Sequence, residues 1–341
     1  MADAAPLPGA GTPRGSLIDG FGRRITYLRI SVTDRCDLRC RYCMAEEMRF
    51  LPPKALMTID EIAEIADAFI ARGVNRIRLT GGEPLVRRGA VDLARTIGRN
   101  LGHGLDELTL TTNGTRLADQ AHALVDAGVR RVNVSLDSRD PERFRHITRT
   151  GDLARVLDGI AAGRDAGLRI KINMVALKGL NEDDIEPMLR WCAAEGHGLT
   201  LIETMPLGDT GEDRTDRYLP LDAVRQQLER RYTLVPIPER TGGPARYTHV
   251  AELDAKLGFI TPLTNNFCAG CNRVRLTAEG HLYLCLGHED RIDLRGALRE
   301  GGRAALDDAL DRAMLAKPEA HAFRIEADRP AVARHMSVTG G

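Results

Sequence analysis

The sequence has no net charge: 48 basic residues are balanced by 48 acidic ones over 341 positions. Nothing global therefore draws the chain to nucleic acid or to an acidic membrane, and any anion site has to be built locally. Long apolar runs are missing too. No window approaches the roughly 18 apolar residues of a membrane span. The opening MADAAPLPGAGTPRG lacks the basic region and apolar stretch of a secretory signal. These absences read as a cytoplasmic protein with no membrane or nucleic-acid partner, preceded by a disordered leader over residues 1–15. Cysteine is scarce, with seven in all, and a chain this long buries enough core to need no disulfide staples. In a reducing compartment clustered thiols are metal ligands or catalysts rather than cross-links.

What cysteine there is lies in two groups. Cys36, Cys40 and Cys43 stand at C-x3-C-x2-C, and Cys268, Cys271 and Cys285 at C-x2-C-x13-C. Cys192, alone in MLRWCAAEG, reads as a small hydrophobe inside a helix.

From the leader to about residue 205, short apolar runs alternate with amphipathic patterns. ITYLRIS (25–31), RIRLT (76–80), ELTLTT (107–112), RVNVSLD (131–137), RIKINMVAL (169–177) and LTLIETM (199–205) predict strands buried on both faces. Helices are predicted over 59–72, about 115–127, 153–166 and 182–194. The first begins with a capping box at Thr58 and Glu61 and carries an apolar stripe of Ile59, Ile62, Ile65 and Phe69. After the first connection the strands recur about every 30 residues, the length of a βαβ unit. Six such units predict an α/β fold, an incomplete (βα)6 TIM-like barrel over residues 16–215 with a C-terminal extension over 216–341 that carries the second cysteine group. An open doubly wound sheet is the competing architecture.

Both architectures place chemistry at the carboxyl ends of the strands. CDLRCRYC, GGEP (81–84), TTNG (111–114), SLDS (135–138) and ETMP (203–206) all fall there. Each alone is ordinary turn chemistry; together on one rim they mark a site. Three thiolates on one short loop can hold three corners of an iron–sulfur cube and leave one iron open. Zinc would want a fourth ligand, and no histidine or further cysteine lies beside the first triplet.

The pattern C-x3-C-x-aromatic-C, with Tyr42 as the aromatic, resembles the signature of radical S-adenosylmethionine enzymes. With RLTGGEPLVRR, LTTNG, NVSLDS, NFCAGCNRVRLTAEGHLYLCL and the Gly-Gly ending, the sequence over about residues 20–341 is similar to the GTP 3′,8-cyclase family of molybdenum cofactor biosynthesis. One departure is Asp37, where family members carry Asn, on a loop position read as exposed and tolerant.

The resemblance implies a [4Fe-4S] cluster on Cys36, Cys40 and Cys43 that binds S-adenosylmethionine, with further cofactor contacts at Tyr42, Gly82, Ser135 and Met205. It implies a second [4Fe-4S] cluster on Cys268, Cys271 and Cys285 facing the purine of GTP, with substrate contacts at Arg29, Arg78, Thr111, Lys171, Arg273 and Arg275. Arg273, Arg275, Gly340 and Gly341 are the expected catalytic helpers, the glycines on a tail that enters the site. The implied reaction converts GTP to (8S)-3′,8-cyclo-7,8-dihydroguanosine 5′-triphosphate. A homodimer is also implied, and the electron donor stays unnamed.

Read from the residues alone, the second triplet also fits a zinc knuckle completed by His281 or His288. The arginines also read as solvated charge, a reading that weakens for Arg29, Arg78 and Lys171 because they interrupt otherwise apolar strands, and the Gly-Gly as a carrier tail or a frayed end. Two other functions thus stand beside the cyclase: a peptide-modifying radical S-adenosylmethionine enzyme with an auxiliary cluster, and a non-enzymatic zinc-ribbon interaction module.

Overall fold

The computed structural model describes residues 15–211, 214–324 and 330–340; Gly341 and the leader up to residue 14 lie outside them. The first strand is β1 (Tyr27–Ser31). The loop carrying the first thiol triplet leads from it to α1 (Ile59–Ala71), which starts with the expected capping box between Thr58 and Glu61. Then come β2 (Arg76–Thr80), α2 (Ala90–Gly98), β3 (Glu107–Thr112), α3 (Leu117–Asp126), β4 (Arg131–Ser135), α4 (Pro141–Thr148), α5 (Leu153–Asp165), β5 (Arg169–Ala176), α6 (Ile185–Ala194) and β6 (Gly198–Glu203). The remainder holds α7 (Arg214–Arg217), α8 (Leu221–Glu229), β7 (Leu234–Ile237), β8 (Arg246–Val250), β9 (Ala255–Ile260), β10 (Arg273–Leu276), β11 (His281–Tyr283), β12 (Arg291–Asp293), α9 (Leu294–Ala316) and α10 (Met336–Thr339).

Strands β1 to β6 are parallel neighbours in sequence order, which is the barrel-like solution; a doubly wound sheet would reverse that order at a switch point. The sheet does not stop there. β10 joins parallel beside β1 and β9 parallel beside β6, and antiparallel strands extend each side. One 12-stranded sheet results, in the order β12-β11-β10-β1-β2-β3-β4-β5-β6-β9-β8-β7. The hairpin expected around Glu279 and Gly280 is the β10–β11 pair. Chain from beyond residue 216 thus flanks both edges of the half-barrel.

Side chains alternate across a strand. Leu28, Ile77, Leu108, Val132, Ile172 and Leu199 face outward into the core beneath the helices. The opposite face carries Arg29, Arg78, Thr109, Asn133, Lys171 and Thr200, all equally buried. The strands are therefore buried on both faces as expected, but only one face is apolar. A fully closed barrel fills its interior with branched apolar side chains; this incomplete one keeps a polar interior around cavities.

Candidate active site

Two cavities lie inside the curled sheet. The first, at the carboxyl ends of the strands, is lined by Cys36, Cys40 and Cys43 together with Tyr42, Gly82, Thr111, Ser135 and Met205. Its loops are held by backbone contact. Gly82 N donates to Thr33 O at 2.8 Å and Glu83 N to Arg35 O at 2.8 Å. A Cβ on Gly82 would lie 2.3 Å from Arg35 O, so glycine is required because the thiol-bearing loop crosses directly over it.

Buried Glu83 accepts from Leu85 N (2.9 Å), Thr112 Oγ1 (2.9 Å) and Asn113 N (2.6 Å), pinning the TTNG loop. Burial nevertheless pushes its carboxyl up to about 7. Asn113 donates in turn to Asp37 Oδ1 (2.7 Å), while Thr115 Oγ1 donates to Asp37 Oδ2 (2.7 Å). Asp37 is thus not the tolerant exposed position expected of it; two neighbouring donors clamp it next to Cys36. Tyr42 Oη donates to Asp137 Oδ2 (2.7 Å), and Val175 N donates to Asp137 Oδ1 (2.8 Å). Burial raises the Asp137 carboxyl to about 6.

Burial also pushes the three thiols up, Cys43 to about 12, with nearby carboxylates adding to the effect. Thiolates in this place call for a metal cation to hold them, and a cluster supplies one. The cavity around them is lined by no cation among the described residues; Glu203 borders it, but its carboxylate is turned away and accepts from Leu221 N (3.2 Å), Leu263 N (3.0 Å) and Thr264 N (3.2 Å). The hydroxyls of Thr111, Thr204 and Ser337 are buried there without hydrogen-bond partners. A ligand bearing a positive sulfonium and several polar groups, as S-adenosylmethionine does, fits such a lining. Thr111, grouped by resemblance with the substrate contacts, lines this first cavity and not the second.

The second cavity lies deeper, towards the amino ends of the strands, and was not anticipated by a rim-only reading. Cys268, Cys271 and Cys285 line it with Arg29, Arg78, Lys171, Arg273 and Arg275, and no carboxylate among the described residues does. The register explains the crowding: Arg29 on β1 is paired with Arg78 on β2 on one side and Arg275 on β10 on the other. Burial, then Arg275 and Arg78, hold the Arg29 guanidinium well below its ordinary range. Burial lowers Lys171 likewise, with Arg78, Arg131 and Lys256 adding to it. Buried like charges are costly until an anion neutralises them. Arginine forks suit phosphate oxygens in particular.

Around the second triplet the setting differs: burial still raises the Cys285 thiol, but Cys271 goes the other way. Burial alone would raise Cys271, yet Arg273 and Lys317 outweigh it and bring the thiol down. Lys317 Nζ lies 3.8 Å from Cys271 Sγ. Of the two histidines read as zinc ligands, His288 Nε2 is hydrogen-bonded with Ala320 O at 2.9 Å, and neither lines this cavity. The histidine that does is His321, whose backbone N donates to Cys268 Sγ at 3.5 Å. Among the described residues no three His, Cys, Asp or Glu side chains close on a single-ion site. The three thiols border one shared cavity.

The two cavities meet at Asn173, Ile202, Met205 and Met336. Met336 begins α10, so the tail reaches the junction. Arg275 Nη1 donates to Gly340 O at 2.6 Å. Gly340 is buried at φ +73°, where a Cβ would lie 1.9 Å from Thr80 Oγ1. Arg334 holds the segment further back, donating to His288 O at 2.6 Å and pairing with Glu289 at 2.8 Å. The described part of the tail is docked, not frayed.

Several residues of the site escaped the sequence reading. Tyr27, whose ring lies 5.5 Å from the Arg78 guanidinium carbon, is two positions before Arg29, and strand alternation could have found it. Lys317 and His321 belong to no motif. Their approach to the thiols is purely tertiary.

Residues 30–192 match the Radical SAM superfamily, and residues 197–323 match Molybdenum Cofactor Synthesis C. A GTP 3′,8-cyclase of Erythrobacter litoralis is 61% identical, the match covering 95% of this chain and 98% of that one. One from Rhizobium etli is 57% identical over 99% and 97%. Among solved structures, Streptococcus suis SuiB bound to S-adenosylmethionine superposes with a TM-score of 0.61 at 15% identity, covering 92% of this chain and 77% of that one; this is a likeness of fold alone. The near-full-length identity to curated relatives places the chain in the GTP 3′,8-cyclase family of the radical S-adenosylmethionine superfamily.

Proposed function

We propose that the two joined cavities divide one reaction between them: S-adenosylmethionine at the first thiol triplet, GTP at the second, and cyclisation of GTP to (8S)-3′,8-cyclo-7,8-dihydroguanosine 5′-triphosphate where they meet. The observation that carries this reading is the contrast in lining among the described residues, five cations and no carboxylate in one cavity against no cation and three unpartnered hydroxyls in the other. Cys36, Cys40 and Cys43 would hold one [4Fe-4S] cluster, and Cys268, Cys271 and Cys285 a second. The clusters and S-adenosylmethionine supply the one-electron chemistry.

The chain's own residues bind and orient. Tyr42, fixed by Asp137, walls the cofactor side, with Gly82, Ser135 and Met205 around it. Arg29, Arg78, Lys171, Arg273 and Arg275 hold the triphosphate in a buried place where charge-assisted bonds are strong. Thr111, on the cofactor side of the junction, would reach the nucleotide across it. Gly340, seated by Arg275 and Thr80, shapes the junction where the reacting carbons lie; Gly341 falls outside the described residues. No helix among the described residues is long and apolar enough to cross a membrane, and a cytoplasmic location fits cofactor synthesis from GTP.

Anaerobic incubation with GTP, S-adenosylmethionine and a reductant should give 5′-deoxyadenosine and the cyclised nucleotide together. 5′-Deoxyadenosine formed only when a peptide is added would favour the peptide-modifying alternative. Bound zinc without labile sulfide would establish the zinc-ribbon one.

A further inference from the structure

The cationic cavity backs on to a wider space at the amino ends of the strands, and a residue lining that wider space, Tyr247, holds a cation of the site. Lys171 on β5 is only 8% exposed, and its ammonium donates to the phenol oxygen of Tyr247 at 2.5 Å. The same nitrogen sits 4.9 Å from the centre of the Tyr247 ring. Tyr247, on β8, is itself 4% exposed. Its hydroxyl lies 2.9 Å from Thr241 Oγ1, and Thr241 belongs to the loop between β7 and β8. That loop separates the deep cavity from a wider space at the amino ends of the strands, the two sharing Lys171 and Thr241.

The choice of partner matters chemically. A carboxylate beside Lys171 would neutralise it and compete with an incoming anion. A phenol satisfies one of the three ammonium protons, leaves the charge intact and leaves two protons for phosphate oxygens. Tyrosine also adds the face of its ring, which attracts a cation without cancelling it. The neighbouring Arg78, Arg131 and Lys256 repel Lys171 and Glu239, on the side of the wider space, attracts it, so without the phenol to hold it the side chain would be drawn out of the deep cavity.

We propose that Tyr247 is a substrate-positioning residue: its phenol, braced by Thr241, holds the Lys171 ammonium aimed into the cavity for the phosphate chain of the nucleotide. This rests on the reading that the cationic cavity takes GTP. Tyr247 acts through Lys171.

A double-mutant cycle on the anaerobically reconstituted holoprotein tests it, with GTP and guanosine binding read by calorimetry and iron content as the check on folding and loading. Tyr247→Phe keeps the ring and should weaken GTP binding about tenfold, while guanosine, which lacks phosphates, binds as to the parent. In a Lys171→Ala background the same change should have no further effect on GTP. Thr241→Val should give a smaller loss in the same direction. If Lys171→Ala weakens GTP binding but Tyr247→Phe does not, or if Tyr247→Phe weakens guanosine equally, the positioning role is overturned and the GTP reading stands. If Lys171→Ala itself leaves GTP binding unchanged, the GTP reading of that cavity falls, and the inference with it.

Discussion

The two thiol triplets have the same ligands and opposite surroundings. Cys36, Cys40 and Cys43 lie near Asp37, Glu83 and Asp137, and their acidity is suppressed. In the second triplet burial likewise raises Cys285, but Cys271 sits beside Arg273 and Lys317, and its acidity is enhanced. The cavity that each triplet opens on carries the same bias: among the described residues no cation lines the first, and five line the second. With identical cysteine chemistry at both places, the lining decides what each can hold. The proposed division puts a sulfonium in the first, where no lining cation of the described residues opposes it, and a triphosphate in the second, where an anion would neutralise buried cations. A chain with zero net charge thereby separates its charges internally rather than displaying them.

The sharpest way to break this comparison is to remove one triplet at a time. Cys40→Ala should lose roughly half the iron, as expected for one of two four-iron clusters, and abolish 5′-deoxyadenosine formation. Cys271→Ala should lose a similar share, keep S-adenosylmethionine binding and abolish GTP cyclisation. Equal loss of cofactor binding in both, measured by equilibrium dialysis, would mean that the two sites are not distinct.

Next in size is the tail. In Gly340→Ala the new methyl meets Thr80 Oγ1 at 1.9 Å at a φ of +73°, so the tail cannot seat as it does. Cyclisation should fall severely while iron content and some S-adenosylmethionine cleavage persist, measured as the ratio of 5′-deoxyadenosine to cyclised product. A parent-like ratio would make the docked tail irrelevant to coupling.

Arg275→Ala should cost about 1.5 to 3 kcal/mol of GTP binding, the worth of a charge-assisted hydrogen bond, and leave S-adenosylmethionine affinity unchanged by calorimetry. The smallest expected difference is in salt. Raising ionic strength from about 50 to 500 mM should weaken GTP binding several-fold and S-adenosylmethionine binding hardly at all, the effect being limited because buried charges are screened less than exposed ones.

The contrast also explains what could be read in the sequence. All six barrel strands were legible because β-branched runs recur at βαβ spacing, and the α1 start was legible from Thr58 and Glu61. Cys192 is the buried helix residue it looked to be, at 1% exposed. The short α2 and α4 were not marked. PERFRHIT carries only a few apolar positions, and tertiary burial of Phe144 and Ile147 completes that helix. Arg29, Arg78 and Lys171 stood out because a charge inside an apolar strand demands a reason. That they face Arg273 and Arg275 across one cavity was beyond local pattern, since β10 pairs with β1 over a separation of more than 240 residues. Asp37 was misjudged for the same reason: its partners, Asn113 and Thr115, come from another loop.

The most direct test of the division between the cavities is electron paramagnetic resonance of the reduced, reconstituted Cys40→Ala and Cys271→Ala proteins, each titrated with both ligands. GTP should perturb the signal of the cluster left in Cys40→Ala and not that in Cys271→Ala, and S-adenosylmethionine should do the reverse. GTP acting on the cluster held by Cys36, Cys40 and Cys43, or S-adenosylmethionine on the one held by Cys268, Cys271 and Cys285, would contradict it.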